Sequence, residues 1–112
     1  MEVTSQAFGE TVILSVDGGM DAGMSSLLAQ RVHALLAEGK AKLVLDLSNV
    51  PSMDSSGLAT LVLLHKQTKS ALGEFRICGL QGTVQELFDV TQIDRTLSVF
   101  PDVVTASAGW AN

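Results

Sequence analysis

The chain has 112 residues, 46% of them apolar, and a formal net charge of -5. That length suits one small domain with a packed core, and the composition is too apolar for disorder. The acidic balance, with four Phe, one Trp and no Tyr, weighs against a nucleic-acid partner and against an anionic membrane surface, both of which are gripped by Lys and Arg.

Residues 2–8 (EVTSQAF) and 11–17 (TVILSVD) read as two strands around a Gly9-Glu10 turn, a hairpin. The opening segment lacks the basic and long apolar regions of a signal peptide. Gly18-Gly19 breaks the second strand. Over residues 23–38, Met24, Leu27, Leu28, Val32, Leu35 and Leu36 recur at helical spacing, and Gly39 is placed to end that helix. Arg31 falls inside the stripe and is read as a snorkelling side chain or as a sign of an irregular first turn. KLVLDL at 42–47 is the near-continuous apolar run of a strand buried on both faces.

Residues 55–72 read as a second helix ended by Gly73. Leu58, Leu61, Val62 and Leu72 make its core side, Leu64 lies at the margin and Leu63 points away. EFRICG at 74–79 reads as a strand. Its Cys78, the single cysteine, cannot form an internal disulfide and fits a reducing cytoplasm. Thr83 to Glu86 has the capping-box pattern, with Val84, Leu87 and Phe88 on one side of a third helix. Residues 97–100 read as a short last strand, and Pro101-Asp102 as the start of a terminal helix. Only the last few residues read as loosely held. No run approaches the roughly 18 apolar residues of a membrane span. The order β-β-α-β-α-β-α-β-α predicts an α/β domain, a mixed sheet with helices packed on it.

Asp54-Ser55-Ser56-Gly57 stands where the buried strand hands over to the second helix. A helix start offers unpaired N–H groups and the positive end of the helix dipole. Asp54 or Ser55 there can cap the helix, which stabilises by about 1 kcal/mol. Two adjacent hydroxyls exceed what a cap needs, and the same N–H groups would tolerate a phosphate. Leu63 is expected to be an exposed apolar residue next in space to this turn.

Other candidates read as structural. Asp46 ends LVLDL and suits an acceptor for backbone groups of the turn better than a metal ligand. No Cys or carboxylate stands at metal-ligand spacing from His33 or His65, so no metal is expected. Met20, Met24 and Met53 read as core or gap-fillers. Gly18-Gly19-Met20-Asp21 lacks the glycine and lysine pattern of a phosphate-binding loop and reads as a turn. No G-x-S-x-G elbow is present, and no His or acid is placed to activate Ser55, so neither catalysis nor a cofactor is expected.

LVLDLSNVPSMDSSGLATL resembles the signature of STAS domains, in particular that of bacterial anti-sigma factor antagonists. GGMDAGM is similar to the Gly-x-x-Asp turn before the first helix of that family, and LFDVTQIDRTLSVFPD to its third helix and last strand. Ala59 departs from it, standing where many members carry a second glycine. The resemblance implies a single STAS domain over residues 1–112. It implies a phosphorylatable Ser55, with Ser56 as a structural hydroxyl, and a partner-binding surface of Asp54, Ser55, Ser56, Gly57 and Leu63. The implied partner is an anti-sigma factor with serine kinase activity, bound when Ser55 is unmodified and released on its phosphorylation. A protein serine phosphatase would reset the cycle.

A different class of function is a STAS subunit of a larger sensory or lipid-transport assembly. The chain has no room for a further sensory domain, which favours the free-standing antagonist. A two-component receiver has similar length, but needs an acidic pair after the first strand and a lysine near the end of its last. Here only Glu10 follows the first strand, and no lysine lies beyond Lys69.

Overall fold

The computed structural model describes residues 2–108. The alternating segments at its start form strands β1 (Glu2–Phe8) and β2 (Thr11–Asp17), paired antiparallel in register from Glu2–Asp17 to Phe8–Thr11. Helix α1 (Ala22–Ala37), strand β3 (Lys42–Asn49), helix α2 (Ser55–Ser70) and strand β4 (Glu74–Cys78) follow. Helix α3 (Gly82–Thr91), a 3-10 turn (Ile93–Arg95), strand β5 (Ser98–Phe100) and helix α4 (Val103–Ser107) complete the order. The five strands lie side by side in sequence order, with β2 to β5 parallel. This is the expected mixed sheet. The loosely held chain end falls outside the described residues, apart from Ala108.

The apolar run of β3 is used on both faces. Leu43, Leu45 and Leu47 face a main core with Leu28 and Val32 of α1, Leu61 and Leu64 of α2, and Val84 and Phe88 of α3. Val44 faces the other way, into a smaller cluster with Cys78 and Ala106 of α4. Arg76 of β4 fastens α4 to the sheet: its Nη1 donates to the carbonyls of Ala106 at 2.8 Å and Ala108 at 3.1 Å. The side-by-side parallel strands bring the β2–α1 and β3–α2 connections to one end of the molecule, where the site lies.

Three local expectations need correction. Leu72 is not core: it lies beyond the end of α2, 97% exposed, at φ 62°. The helix stops at Ser70, and the Leu72 and Gly73 N–H groups close back on the carbonyls of Lys69 and Thr68, both at 2.9 Å. The left-handed residue of such a terminator is usually glycine. Here the glycine is needed one position later, because a Cβ at Gly73 would lie 2.2 Å from the Ala41 carbonyl oxygen. Leu64, expected at the margin, is fully buried. Thr83 does not cap α3, which starts after Gln81 with no side-chain cap; its hydroxyl donates to the Pro51 carbonyl at 2.8 Å instead.

Candidate functional site

The turn between β3 and α2 is assembled from short local bonds and from a neighbouring loop. Asp46 accepts the Ser48 N–H at 3.0 Å, and the Val50 N–H reaches the Leu47 carbonyl at 3.0 Å. Asp46 therefore serves the turn, as its place at the strand end suggests. The chain then runs beside the β2–α1 loop. The Met20 N–H donates to Ser52 O at 2.9 Å, and the Asp54 N–H to Met20 O at 3.3 Å, forming a parallel bridge between Met20 and Met53.

Two helices start from that bridge in the same way. Asp21 Oδ1 accepts the Met24 N–H at 2.9 Å at the start of α1. Asp54 Oδ1 accepts the Gly57 N–H at 3.0 Å at the start of α2. Two positive helix ends thus open side by side, each with an acidic cap. The paired Met-Asp dipeptides at Met20-Asp21 and Met53-Asp54 are the sequence signal for this twin arrangement, which a reading of each loop alone misses.

The expected site residues at the turn fall into different roles. Asp54 caps the helix through one oxygen: besides the Gly57 N–H, its Oδ1 takes the Ser56 hydroxyl at 2.6 Å. The Ser56 hydroxyl and then the Gly57 N–H hold its carboxyl below the ordinary aspartate value. Gly57 is buried beneath the β2–α1 loop, where a Cβ would lie 2.8 Å from Met20 O and from Met53 Cγ. It contributes a backbone N–H and a close approach. Ser55, the first helical residue, is exposed, and its side chain has no hydrogen bond to any described residue.

Leu63 is 50% exposed. It shares an exposed stripe of α2 with Ser55, Ala59, Lys66 and Ser70. At about 1.5 Å rise per residue it stands roughly 12 Å along the axis from Ser55, farther than immediate contact with the turn. Met20 and Met24 are core, and Met53 packs against it.

The remaining reactive side chains do not gather here. Among the described residues, no group of three or more His, Cys, Asp or Glu is placed to hold a metal ion. His33 Nε2 lies 2.7 Å from Gln67 Oε1 and joins α1 to α2. Cys78 is buried under α4, its thiol pushed up to about 12 by burial and then by Asp46 and Asp102. A thiol held so firmly protonated is a poor nucleophile. No helix among the described residues is long and apolar enough to cross a membrane.

Compared with protein families, residues 2–106 match the STAS domain. The chain belongs to the STAS family. Among curated relatives of this STAS protein is BtrV of Bordetella bronchiseptica, assigned by its name as an anti-sigma factor antagonist. The two are 28% identical over 101 residues, covering 90% of this chain and 84% of the relative. A crystal structure of a Thermotoga maritima protein, likewise assigned as an anti-sigma factor antagonist, superposes with a TM-score of 0.86 at 25% identity, covering 93% of this chain and 90% of that one. The fold of SpoIIAA, an anti-sigma factor antagonist, superposes in its unphosphorylated form with a TM-score of 0.73 at 14% identity, covering 93% and 92% of the two chains. The Bacillus protein is also solved in its phosphorylated form, with a TM-score of 0.71 at 13% identity and coverage of 93% and 96%.

Proposed function

We propose that this STAS protein is an anti-sigma factor antagonist of the cytoplasm, a binding module without catalysis of its own, switched by phosphorylation of Ser55. The observation that carries the reading is the contrast within the turn. The Asp54 carboxylate is taken up by Gly57 and Ser56, and the neighbouring Ser55 hydroxyl is left exposed and unbonded. Of the two adjacent serines, Ser55 is the one a kinase can reach without first breaking a bond.

The unmodified turn, with the exposed stripe of α2 through Leu63, would dock on an anti-sigma factor that is also a serine kinase. That partner would transfer the γ-phosphoryl group of ATP to Ser55 Oγ, releasing ADP, with its own base taking the hydroxyl proton. The phosphate adds about -1.5 to -2 charges. The N–H groups of the α2 start can hold it, so the fold need not open. Asp54 and Asp21 already place negative charge at this end, and an interface that closes over an unpaired dianion is costly. The partner therefore leaves. A protein serine phosphatase would hydrolyse the phosphoserine with water, returning the Ser55 hydroxyl and releasing inorganic phosphate.

Titration calorimetry of wild type and Ser55→Asp against the kinase partner tests this. A permanent charge should weaken binding by several kcal/mol with an unchanged circular-dichroism spectrum. Equal affinities would place the turn outside the contact surface.

A further inference from the structure

The connection that carries Ser55 is held on its two flanks by different means. On the flank facing the β2–α1 loop the ties are backbone bonds: Gly18 N–H to Asn49 O at 3.1 Å, Met20 N–H to Ser52 O at 2.9 Å and Asp54 N–H to Met20 O at 3.3 Å. On the other flank the ties are side chains from the start of α3. Gln81 Nε2 donates to Ser48 O at 3.0 Å, and Thr83 Oγ1 donates to Pro51 O at 2.8 Å. Those bonds span 33 and 32 residues of chain.

Neither side chain serves its own helix. Gln81 occupies the N-cap position of α3 without a side-chain cap bond. Thr83 heads a capping-box pattern, yet its hydroxyl turns outward to the loop. The two carbonyls they reach belong to exposed residues, which water would serve equally well, so these bonds add little to stability. Pro51 has no N–H, and its carbonyl is the one backbone group by which it can be held. Two side chains diverted from a helix start to exposed carbonyls of one short connection serve its geometry.

We propose that Gln81 and Thr83 are positioning residues for the Ser55 turn, a latch from α3 that fixes the orientation in which the acceptor hydroxyl is presented; this rests on the reading of Ser55 as phosphoacceptor. The latch acts through residues 48–51 and makes no hydrogen bond to Ser55 itself. It therefore governs the rate of transfer more than the affinity of docking.

Thr83→Val and Gln81→Met remove the donors and keep the bulk, and Thr83→Ser keeps the hydroxyl. Amide hydrogen exchange and kinase turnover are measured on the same preparations. In the double variant the Val50 and Asp54 amides should exchange about threefold to tenfold faster, the change expected for lost hydrogen bonds. The amides of β3 and the unfolding midpoint should match wild type. The kcat for Ser55 phosphorylation should fall by a similar factor with KM nearly constant, and Thr83→Ser should behave as wild type. Unchanged loop exchange overturns the inference, as does faster exchange with unchanged kcat, a uniform rise in exchange across the core, or a Thr83→Ser protein that behaves like Thr83→Val. A kinase that leaves wild-type Ser55 unmodified would remove the phosphoacceptor reading, and loop exchange alone would then decide whether the latch exists.

Discussion

The Ser56 hydroxyl donates to Asp54 Oδ1 at 2.6 Å, and that single bond makes two adjacent serines chemically unequal. Ser55 can be removed without touching the cap of α2, whereas Ser56 cannot. Ser55→Ala should abolish phosphate incorporation while stability stays within about 0.5 kcal/mol, as for surface changes that break no bond. Ser56→Ala should still accept phosphate and should be less stable than Ser55→Ala, because it removes a bond to the cap of α2. Phosphopeptide mapping with denaturant titration separates the two. Phosphate retained in Ser55→Ala would sink the assignment.

The same bond sets a pH dependence. The Ser56 hydroxyl, then the Gly57 N–H, lowers the Asp54 pKa from its ordinary 3.8. A carboxyl that is more acidic in the folded chain than in the unfolded one adds stability above the unfolded value, and loses it as pH falls through the folded value. Asp54→Asn keeps a capping side chain but cannot titrate. The stability difference between wild type and Asp54→Asn should therefore shrink, in favour of the variant, as pH drops below 3.8. In Ser56→Ala the Asp54 carboxyl, followed by NMR, should titrate at higher pH than in wild type.

Leu63 and Leu64 are neighbours in sequence with opposite surroundings, one half exposed and one wholly buried. Leu63→Ala should leave the denaturation midpoint nearly unchanged and weaken partner binding by about 1 kcal/mol or more, as for interface residues that matter. Leu64→Ala should cost about 2–5 kcal/mol of stability by opening a cavity under α2. A large stability loss in Leu63→Ala would take that residue out of the proposed interface.

Leu72 carries an apolar side chain into water at a left-handed backbone position. For a residue with a Cβ that conformation costs about 1–2 kcal/mol. Leu72→Gly should raise stability by about 0.5–1 kcal/mol, the strain relieved less the extra chain entropy of glycine. A thermal melt measures the sign directly, and a lowered midpoint would mean that Leu72 packs in solution.

These leucines show where sequence reading succeeds and where it stops. The spacing of Leu58, Leu61 and Val62 gives their side of α2 correctly, because a helix repeats its faces. It places Leu72 on that side only if the helix continues, and the place where it stops depends on how closely Gly73 must approach Ala41. That approach is tertiary and leaves no periodic trace. The Asp54–Gly57 turn is legible because its bonds span two or three residues. Thr83 misleads for the opposite reason: its pattern is local, and its partner Pro51 lies 32 residues away.

The Met20–Met53 bridge also bears on how the chain tolerates changes of length. Connections between elements ordinarily absorb insertions without harm. Here an extra residue in either the β2–α1 or the β3–α2 loop would slide one helix start past the other by roughly one residue's rise, about 3.3 Å in extended chain. The Met20 N–H would then miss Ser52 O, and both acidic caps would shift together with the acceptor serine. Among the described residues, the turns at the other end of the sheet, Gly9-Glu10 and Gly39-Lys40, carry no backbone bridge to a neighbouring helix start, and Glu10 is tied by its side chain to Lys42 at 3.3 Å. That end is the place to splice in a tag or a reporter peptide while leaving Ser55 where a kinase would find it.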